Sequence, residues 1–303
     1  MNFLVYFDFF IGVLLQLFNP QADQIKMMTA TWDHAVNSKE KLQNALTSES
    51  KMIEADVITG HLVDESASGE EKTDRIPIMG HPPAITSDLS LKEFLDAWNQ
   101  TTKILKLDFK STEAFVLAIP IMENAFKGLP PSRLPWLNAD ILPGPGPGGS
   151  PGVDADTFLG LSSKNFPDSI LSLGWTTQYN DYDVYSENYI NDMADLLFKS
   201  KYLKPVTYAV RASFAVNSIP ELQYLLETSP AGSTLTAWCS DPRDVIDDAK
   251  LVGLVRTVGA DRVYLDLPGG VTKTFLEAYT TSGAGSATAA LLTSMVAAGN
   301  VFR

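Results

Sequence analysis

Apolar runs of strand length recur along the chain and alternate with stretches of helical periodicity. The runs are rich in branched and aromatic residues, which predicts strands at 30–36, 52–59, 76–81, 104–110, 136–142, 170–176, 206–211, 233–239 and 262–268. Amphipathic patterns between them predict helices, among them 37–46, 90–98, 187–197, 219–227 and 244–258. Strands that alternate with helices favour a parallel α/β sheet.

Nine strands in one region, 26–280, predict a (β/α)₈ TIM barrel with one extra strand. We expect the extra strand to be 76–81, since the stretch before it (60–75) is polar and has no apolar stripe. That stretch is more typical of the loop of a β-hairpin than of a helix that connects two parallel strands. The Pro/Gly segment 143–152 could be a linker, but its position after a strand favours a loop at the barrel mouth.

The ends of the chain carry separate predictions. Residues 3–18 are almost wholly apolar and short for a membrane span, which favours a signal peptide over residues 1–22 and secretion. Because Asp8 interrupts the run and no Lys or Arg precedes it, an uncleaved anchor and a docking helix stay open. Cys239 is the sole cysteine, which excludes an internal disulfide and leaves an intracellular location open. The tail at 281–303 has small, apolar residues, which favour a closing helix over a disordered end or a lipid-anchor signal.

The charge balance narrows the classes of partner. The 303 residues carry a net charge of −13, which argues against nucleic acid or an anionic membrane as a docking surface. A few cationic side chains that converge in a cleft can still bind a phosphate there.

Candidate chemistry begins with carboxylates two residues apart. Glu54 and Asp56 lie on one predicted strand and project from the same face. His34 ends the strand before it. Two carboxylates held together stay ionised when a cation or strong donors lie between them, so the pattern predicts a metal site of oxygen ligands. The alternative is a structural salt bridge with Lys106 or Lys110.

Polar side chains share one face on several other strands. Lys106, Asp108 and Lys110 alternate with apolar residues, and Asn138 and Asp140 do the same on the next strand. Burial of a charged side chain without a partner costs free energy, so these charged side chains predict a solvated functional site at the mouth of the barrel. Arg211, Trp238 and Asp266 end later strands, and Arg211, Asp140 and Asp266 could equally hold loops in place. His81 ends the extra strand, where Pro82 and Pro83 stiffen the backbone, whereas His61 follows Gly60 in a polar loop.

Six segments together resemble the menorin family, within the phospholipase-C-like phosphodiesterase superfamily of TIM barrels. They are Trp-Asp-His-Ala-Val-Asn (32–37), Ile-Glu-Ala-Asp (53–56), Gly-His-Pro-Pro (80–83), Lys-Leu-Asp-Phe-Lys (106–110), Trp-Leu-Asn-Ala-Asp (136–140) and Leu-Gly-Trp-Thr-Thr (173–177). The resemblance implies that Glu54, Asp56 and Asp108 bind a divalent cation, Mg²⁺ or else Ca²⁺. It implies that His34 and His81 flank the phosphorus, one as general base or nucleophile and the other as general acid. Related glycerophosphodiesterases have an arginine where this chain has Ala35, and the first strand is closer to that of venom-type phospholipase D toxins.

The resemblance leaves two functions open. In the first, a metal-dependent phosphodiesterase or phospholipase D-like lyase acts on a glycerol or lipid phosphodiester, with Lys110, Asn138, Asp140, Arg211 and Trp238 at the substrate. Attack by the substrate's own hydroxyl would give a cyclic phosphate. In the second, a secreted protein recognises cell-surface adhesion proteins with little or no catalysis, since fold alone does not imply function.

Overall fold

The computed structural model describes residue 27 and residues 30–63, 75–146, 149–178, 184–239 and 244–281. The predicted signal peptide lies outside these residues, as does the predicted tail beyond residue 281. Within them, none of the helices combines the length and the apolar character needed to cross a membrane. The chain divides into two compact units, which we call the first unit (Thr31–Asp183) and the second unit (Val184–Arg303 with Met1–Ala30).

The described residues of the first unit form seven strands and four α-helices. Its strands are β1 (Trp32–Asp33), β2 (Met52–Leu62), β3 (Ile76–Met79), β4 (Thr86–Ser87), β5 (Ile104–Phe109), β6 (Trp136–Pro143) and β7 (Leu171–Thr176). Its helices are α1 (Lys39–Thr47), α2 (Leu91–Trp98), α3 (Thr112–Ala125) and α4 (Ala155–Asn165), with a 3₁₀ turn at Pro131–Arg133. Strands β1, β2, β5, β6 and β7 are parallel neighbours in that order.

Local sequence explains where these helices begin. Ser38, Ser90, Ser111 and Asp154 are the N-caps, and each side chain accepts a hydrogen bond from a backbone N–H of the first turn. At α2, the Glu93 side chain accepts a hydrogen bond from the backbone N–H of Ser90, which completes a capping box. These caps satisfy donors that have no partner inside the helix.

An antiparallel strand interrupts the βα alternation, as the sequence predicts. Strand β3 pairs with β2 from Val57↔Met79 to Gly60↔Ile76. The expectation that His61 lies in a polar loop is wrong, because β2 continues to Leu62. Its extension pairs with β4, a two-residue strand that sequence reasoning missed, at His61↔Thr86.

The second unit continues the same alternation. It contains strands β8 (Val206–Arg211), β9 (Thr234–Trp238) and β10 (Val263–Asp266), with β9 parallel to both others. The helices are α5 (Glu187–Lys199), α6 (Ala212–Ala215), α7 (Ile219–Thr228), α8 (Asp248–Val258) and α9 (Gly269–Thr281). The helix predicted from residue 244 begins later, after the N-cap Asp247.

Among the described residues, eight parallel strands in βα alternation, plus the β2–β3 hairpin, confirm the predicted TIM-barrel fold class. The apolar face of β5 packs on helices: Phe109 lies 5.0 Å from Phe115, which lies 4.8 Å from Phe158 between ring centroids. Because alternate residues point to opposite faces, this packing leaves Lys106 and Asp108 on the other side of the sheet.

Candidate metal centre

Strand register in the first unit aligns polar side chains across four neighbouring strands. Asp56 is paired with Asp108, Asp108 with Asn138, and Asn138 with Ser172. One step earlier along the strands, Glu54 is paired with Lys106. Residues paired across parallel strands project to the same side, so the register forms a polar row on one face of the sheet.

Three carboxylates converge at this row. Glu54, Asp56 and Asp108 each offer one oxygen, and the three oxygens lie within 4.8 Å of one another. Glu54 and Asp56 are 8% and 4% exposed. The Lys110 ammonium bridges two of them, at 2.8 Å from Asp56 Oδ1 and 2.6 Å from Asp108 Oδ2. The salt bridge expected as the alternative therefore exists for Asp56, within the same cluster.

Crowding and burial shift the pKa values of these groups. Burial, and then the charge of Asp56, raise the pKa of Glu54 to about 7. Burial also raises the pKa of Asp108, but the positive charges of Lys110 and Lys106 have the larger effect. The pKa of Asp108 therefore lies below its usual value. Burial lowers the pKa of Lys110, but Asp108 and Asp56 outweigh it, and this pKa ends well above the usual one. Lys110 and Lys106 therefore hold Asp108 ionised, whereas burial and the charge of Asp56 bring the pKa of Glu54 near neutrality.

The donor set fits a hard divalent cation. All three candidate ligands are carboxylate oxygens, which suit Mg²⁺ or Ca²⁺ better than zinc. A cation would also remove the repulsion that raises the pKa of Glu54. Asn138 Oδ1 and Ser172 Oγ, at adjacent positions of the row, are buried and have no hydrogen-bond partner among the described residues. Such buried oxygens usually find a partner, so the row has spare capacity for a ligand or its water.

The loop after β1 brings His34 to Glu54. Ala35 takes a left-handed backbone conformation (φ 47°), and its N–H donates to Glu54 Oε2 at 3.0 Å. The Val36 N–H donates to the backbone carbonyl of Glu54 at 3.1 Å. His34 Nδ1 lies 3.9 Å from Glu54 Oε2, and the ring stacks on Trp32 with a centroid distance of 6.1 Å.

Asn37 orients the second carboxylate, a role that sequence reasoning missed. Its Nδ2 donates to Asp56 Oδ2 at 2.7 Å, and its Oδ1 accepts from the Asp56 backbone N–H at 2.9 Å. The two bonds fix both the strand and the side chain of Asp56. The available signal was the place of Asn37 in the same short segment as His34.

The β3 hairpin carries His81 to the side of β2. The Gly80 N–H donates to the Asp56 carbonyl at 3.0 Å, and His81 follows it in the chain. The His81 ring is exposed, and its Nδ1 lies 2.7 Å from the Pro82 carbonyl oxygen. Because a carbonyl oxygen only accepts, Nδ1 carries the hydrogen in this contact, which leaves Nε2 as the basic nitrogen of the neutral ring.

Asp140 lies two residues beyond Asn138 on β6. Burial, and then the charge of Asp108, raise the pKa of Asp140 to about 7. The Gly/Pro segment 143–152 that follows lies within the first unit, and the Gly144 N–H donates to Thr176 of β7 at 3.1 Å. A Cβ at Gly152 would lie 2.9 Å from the Lys110 carbonyl oxygen, so glycine lets this segment approach the backbone of Lys110.

The second unit holds the two other predicted substrate residues. Register pairs Arg211 with Trp238 and Trp238 with Asp266. The Arg211 guanidinium is buried, 5.4 Å from the Trp238 ring and 5.5 Å from that of Phe214, and its Nε donates to Asp244 at 2.9 Å. Arg211 thus holds the segment around Asp244, as the alternative interpretation expects. Contact of Arg211 or Trp238 with phosphate stays a prediction.

Comparison with known proteins gives both family and fold relatives. The sequence model of the Menorin N-terminal domain matches residues 26–272. The human protein named FAM151B is 39% identical over 211 residues, which are 69% of this chain and 71% of that protein.

Two solved structures of lower similarity each cover 82% of this chain. A glycerophosphodiester phosphodiesterase from Parabacteroides distasonis has a TM-score of 0.47 and 13% identity, with 98% of its chain covered. Xylanase 10B from Thermotoga maritima has a TM-score of 0.42 and 10% identity, with 85% covered. Both are too distant to assign chemistry to this chain.

Proposed function

Because the chain belongs to the menorin family and gathers three carboxylates, a lysine and a histidine at one strand row, we propose that it is a metal-dependent phosphodiesterase. The proposed substrate is a small phosphodiester, a glycerol or lipid head-group ester. The observation that carries the proposal is the position of Lys110 between Asp56 and Asp108, next to an oxygen cluster that can hold a cation. This arrangement offers positive charge to a phosphate inside an otherwise acidic site.

Each residue then has a defined task. A divalent ion held by Glu54, Asp56 and Asp108, with Mg²⁺ favoured over Ca²⁺, would offset the charge that builds on the phosphate oxygens. Lys110 stays protonated, because its pKa lies well above the usual value, and supplies a second fixed positive charge.

The two histidines are the proposed proton carriers. His34 lies beside Glu54 and is 43% exposed in its side chain, so it can meet both solvent and substrate. His81 presents Nε2 as its basic nitrogen, while the Pro82 carbonyl holds Nδ1. One imidazole would take the proton of the attacking hydroxyl and the other would protonate the leaving oxygen. Proton transfer of this kind typically contributes about 10²–10⁴-fold.

Turnover of a panel of glycerophosphodiesters and lysophospholipids with Mg²⁺ tests the proposal. We expect phosphodiester cleavage by the wild type, with loss of activity in His34→Ala and Glu54→Ala. Phosphorus NMR of the product distinguishes a phosphomonoester from a cyclic phosphate. His61→Ala is the matched control, since His61 lies on the β2 extension paired with β4, and it should retain activity. Absence of turnover, or equal activity in all variants, would contradict the proposal.

Recognition of cell-surface adhesion proteins is the second candidate. The support for it is membership of the menorin family, since the barrel fold alone does not imply catalysis. A pull-down from cell-surface extracts that is unaffected by His34→Ala would support recognition without catalysis. Secretion is part of both proposals, and N-terminal sequencing of protein recovered from the culture medium tests for cleavage near Ala22.

A further inference from the structure

The end of helix α5 presents two large apolar side chains to solvent. Phe198 and Leu203 are 82% and 83% exposed. Their neighbours Leu197 and Tyr202 are buried, with exposed fractions of 4% and 8%. Adjacent side chains therefore point alternately into the core and into solvent. Folding thus buries one apolar pair and leaves the second in water.

Backbone hydrogen bonds define the turn between the two. The Lys201 N–H donates to the Phe198 carbonyl at 3.1 Å, and the Tyr202 N–H donates to the Leu197 carbonyl at 3.0 Å. These are the two bonds of a Schellman motif, which reverses the chain at a helix C-terminus. Phe198 and Leu203 therefore flank one turn, which we call the α5 tip (residues 198–204).

The α5 tip is basic in a strongly acidic protein. Lys199, Lys201 and Lys204 are exposed, and residues 198–204 contain no Asp or Glu, whereas the whole chain carries −13. Lys199 lies 3.5 Å from Asp195 in the preceding turn of the helix. Charges farther away than about 8 Å are largely screened at physiological salt, so the three lysines, offset in part by Asp195, decide what the tip attracts.

One lysine occupies a position that normally suits glycine. Lys201 is the left-handed residue of the Schellman motif, with φ 53°. A side chain there carries a steric cost that glycine avoids. Lysine at that position therefore lowers stability relative to glycine and places a positive charge at the centre of the tip.

We propose that the α5 tip docks on anionic lipid membranes, with Phe198 and Leu203 inserted between head groups and the lysines against lipid phosphates and carboxylates. Apolar side chains with basic neighbours are the pattern of interfacial membrane anchors. Each inserted side chain should contribute about tenfold or more to partitioning. Each lysine near an anionic surface should contribute about fivefold. The proposal does not depend on catalysis at the metal centre.

Vesicle partitioning of the full chain tests it. We expect binding to phosphatidylcholine–phosphatidylserine vesicles to exceed binding to phosphatidylcholine alone, and the difference to shrink as salt is added. Binding of the Phe198→Ser/Leu203→Ser variant to phosphatidylcholine alone reports apolar residues elsewhere, such as 3–18, and sets the background. The double variant Phe198→Ser/Leu203→Ser should lower the anionic component about 100-fold, from two tenfold factors. Hydrogen exchange should show vesicle protection at residues 198–204.

Two further variants sharpen the result. Lys201→Gly should raise the melting temperature, because it removes the left-handed lysine, and should lower anionic binding about fivefold. Val245→Ser is the matched control: Val245 is 83% exposed but lies among acidic residues, so its binding should equal that of the wild type.

Equal binding to both kinds of vesicle, or full binding by the Phe198/Leu203 variant, overturns the proposal. A wild-type dimer that this variant converts to a monomer without lipid also overturns it, since a second copy would then cover the tip.

Discussion

Replacement of Glu54 by Gln should stabilise the metal-free protein at high pH, although Glu54 is a proposed ligand. The change removes a buried carboxylate and keeps an oxygen that can accept from the Ala35 N–H, as Oε2 does at 3.0 Å. Burial and Asp56 raise the pKa of Glu54 from 4.5 to about 7. Ionisation of this side chain therefore costs more free energy in the folded protein than in the unfolded chain.

The magnitude follows from proton linkage. Between pH 4.5 and about 7 the folded state holds a proton that the unfolded state has lost, so stability falls as pH rises through that window. At about 1.4 kcal/mol per pH unit, the full cost at pH 8 is about 3 kcal/mol. Glu54→Gln should recover this amount at pH 8 and no more than about 1 kcal/mol at pH 5. At about 2–4 °C per kcal/mol, the melting temperature at pH 8 should rise by roughly 6–12 °C.

Urea and thermal unfolding in EDTA at both pH values, repeated with Mg²⁺, measure the effect. Mg²⁺ at 100 times its Kd should stabilise the wild type by about 2.7 kcal/mol and the variant far less, so that metal erases the advantage of the variant. Glu113→Gln is the control, because Glu113 is half exposed in its pair with Arg75 and should change stability little. A variant that is no more stable at pH 8 without metal, or that gains as much from Mg²⁺ as the wild type, would refute the reasoning.

Three other predictions follow from the same site. Lys110→Met should destabilise the metal-free protein by about 3–5 kcal/mol, because it removes the ammonium that two buried carboxylates share, and added Mg²⁺ should restore part of the loss in urea unfolding; an equal loss with and without Mg²⁺ would argue against a shared site. Asn37→Ala should raise the Mg²⁺ Kd about 10–100-fold in calorimetry, whereas Asn44→Ala, at an exposed position, should leave the Kd unchanged. If neither variant changes the Kd, Asn37 does not orient a metal ligand. His81→Ala should lower turnover about 10²–10⁴-fold while Mg²⁺ affinity stays the same, and a loss of affinity instead would make His81 part of the metal site.

Much of the fold was predictable because strand and helix patterns are local. Each of the nine apolar runs overlaps a strand of the structure, and the extra one pairs antiparallel with β2 as expected. Strand ends were less predictable: the first run, 30–36, keeps two strand residues, and β2 runs on to Leu62. Pairing partners decide where a strand stops, and β4 lies more than twenty residues farther along the chain.

The sequence by itself determined which side chains share a face. Glu54 and Asp56, or Lys106, Asp108 and Lys110, alternate with apolar residues, and the two-residue period of a strand then assigns them to one side. That period needs no knowledge of the neighbouring strands, which is why the carboxylate pair was visible at once.

Only the tertiary structure decided how those faces meet. The register that aligns Asp56, Asp108 and Asn138 depends on how whole strands pack, because a shift by one residue would turn each side chain to the opposite face. The bonds of Asn37 to Asp56 and the bridge of Lys110 depend on that register as well. The raised pKa of Glu54 arises from burial among these charges, which a linear sequence does not contain.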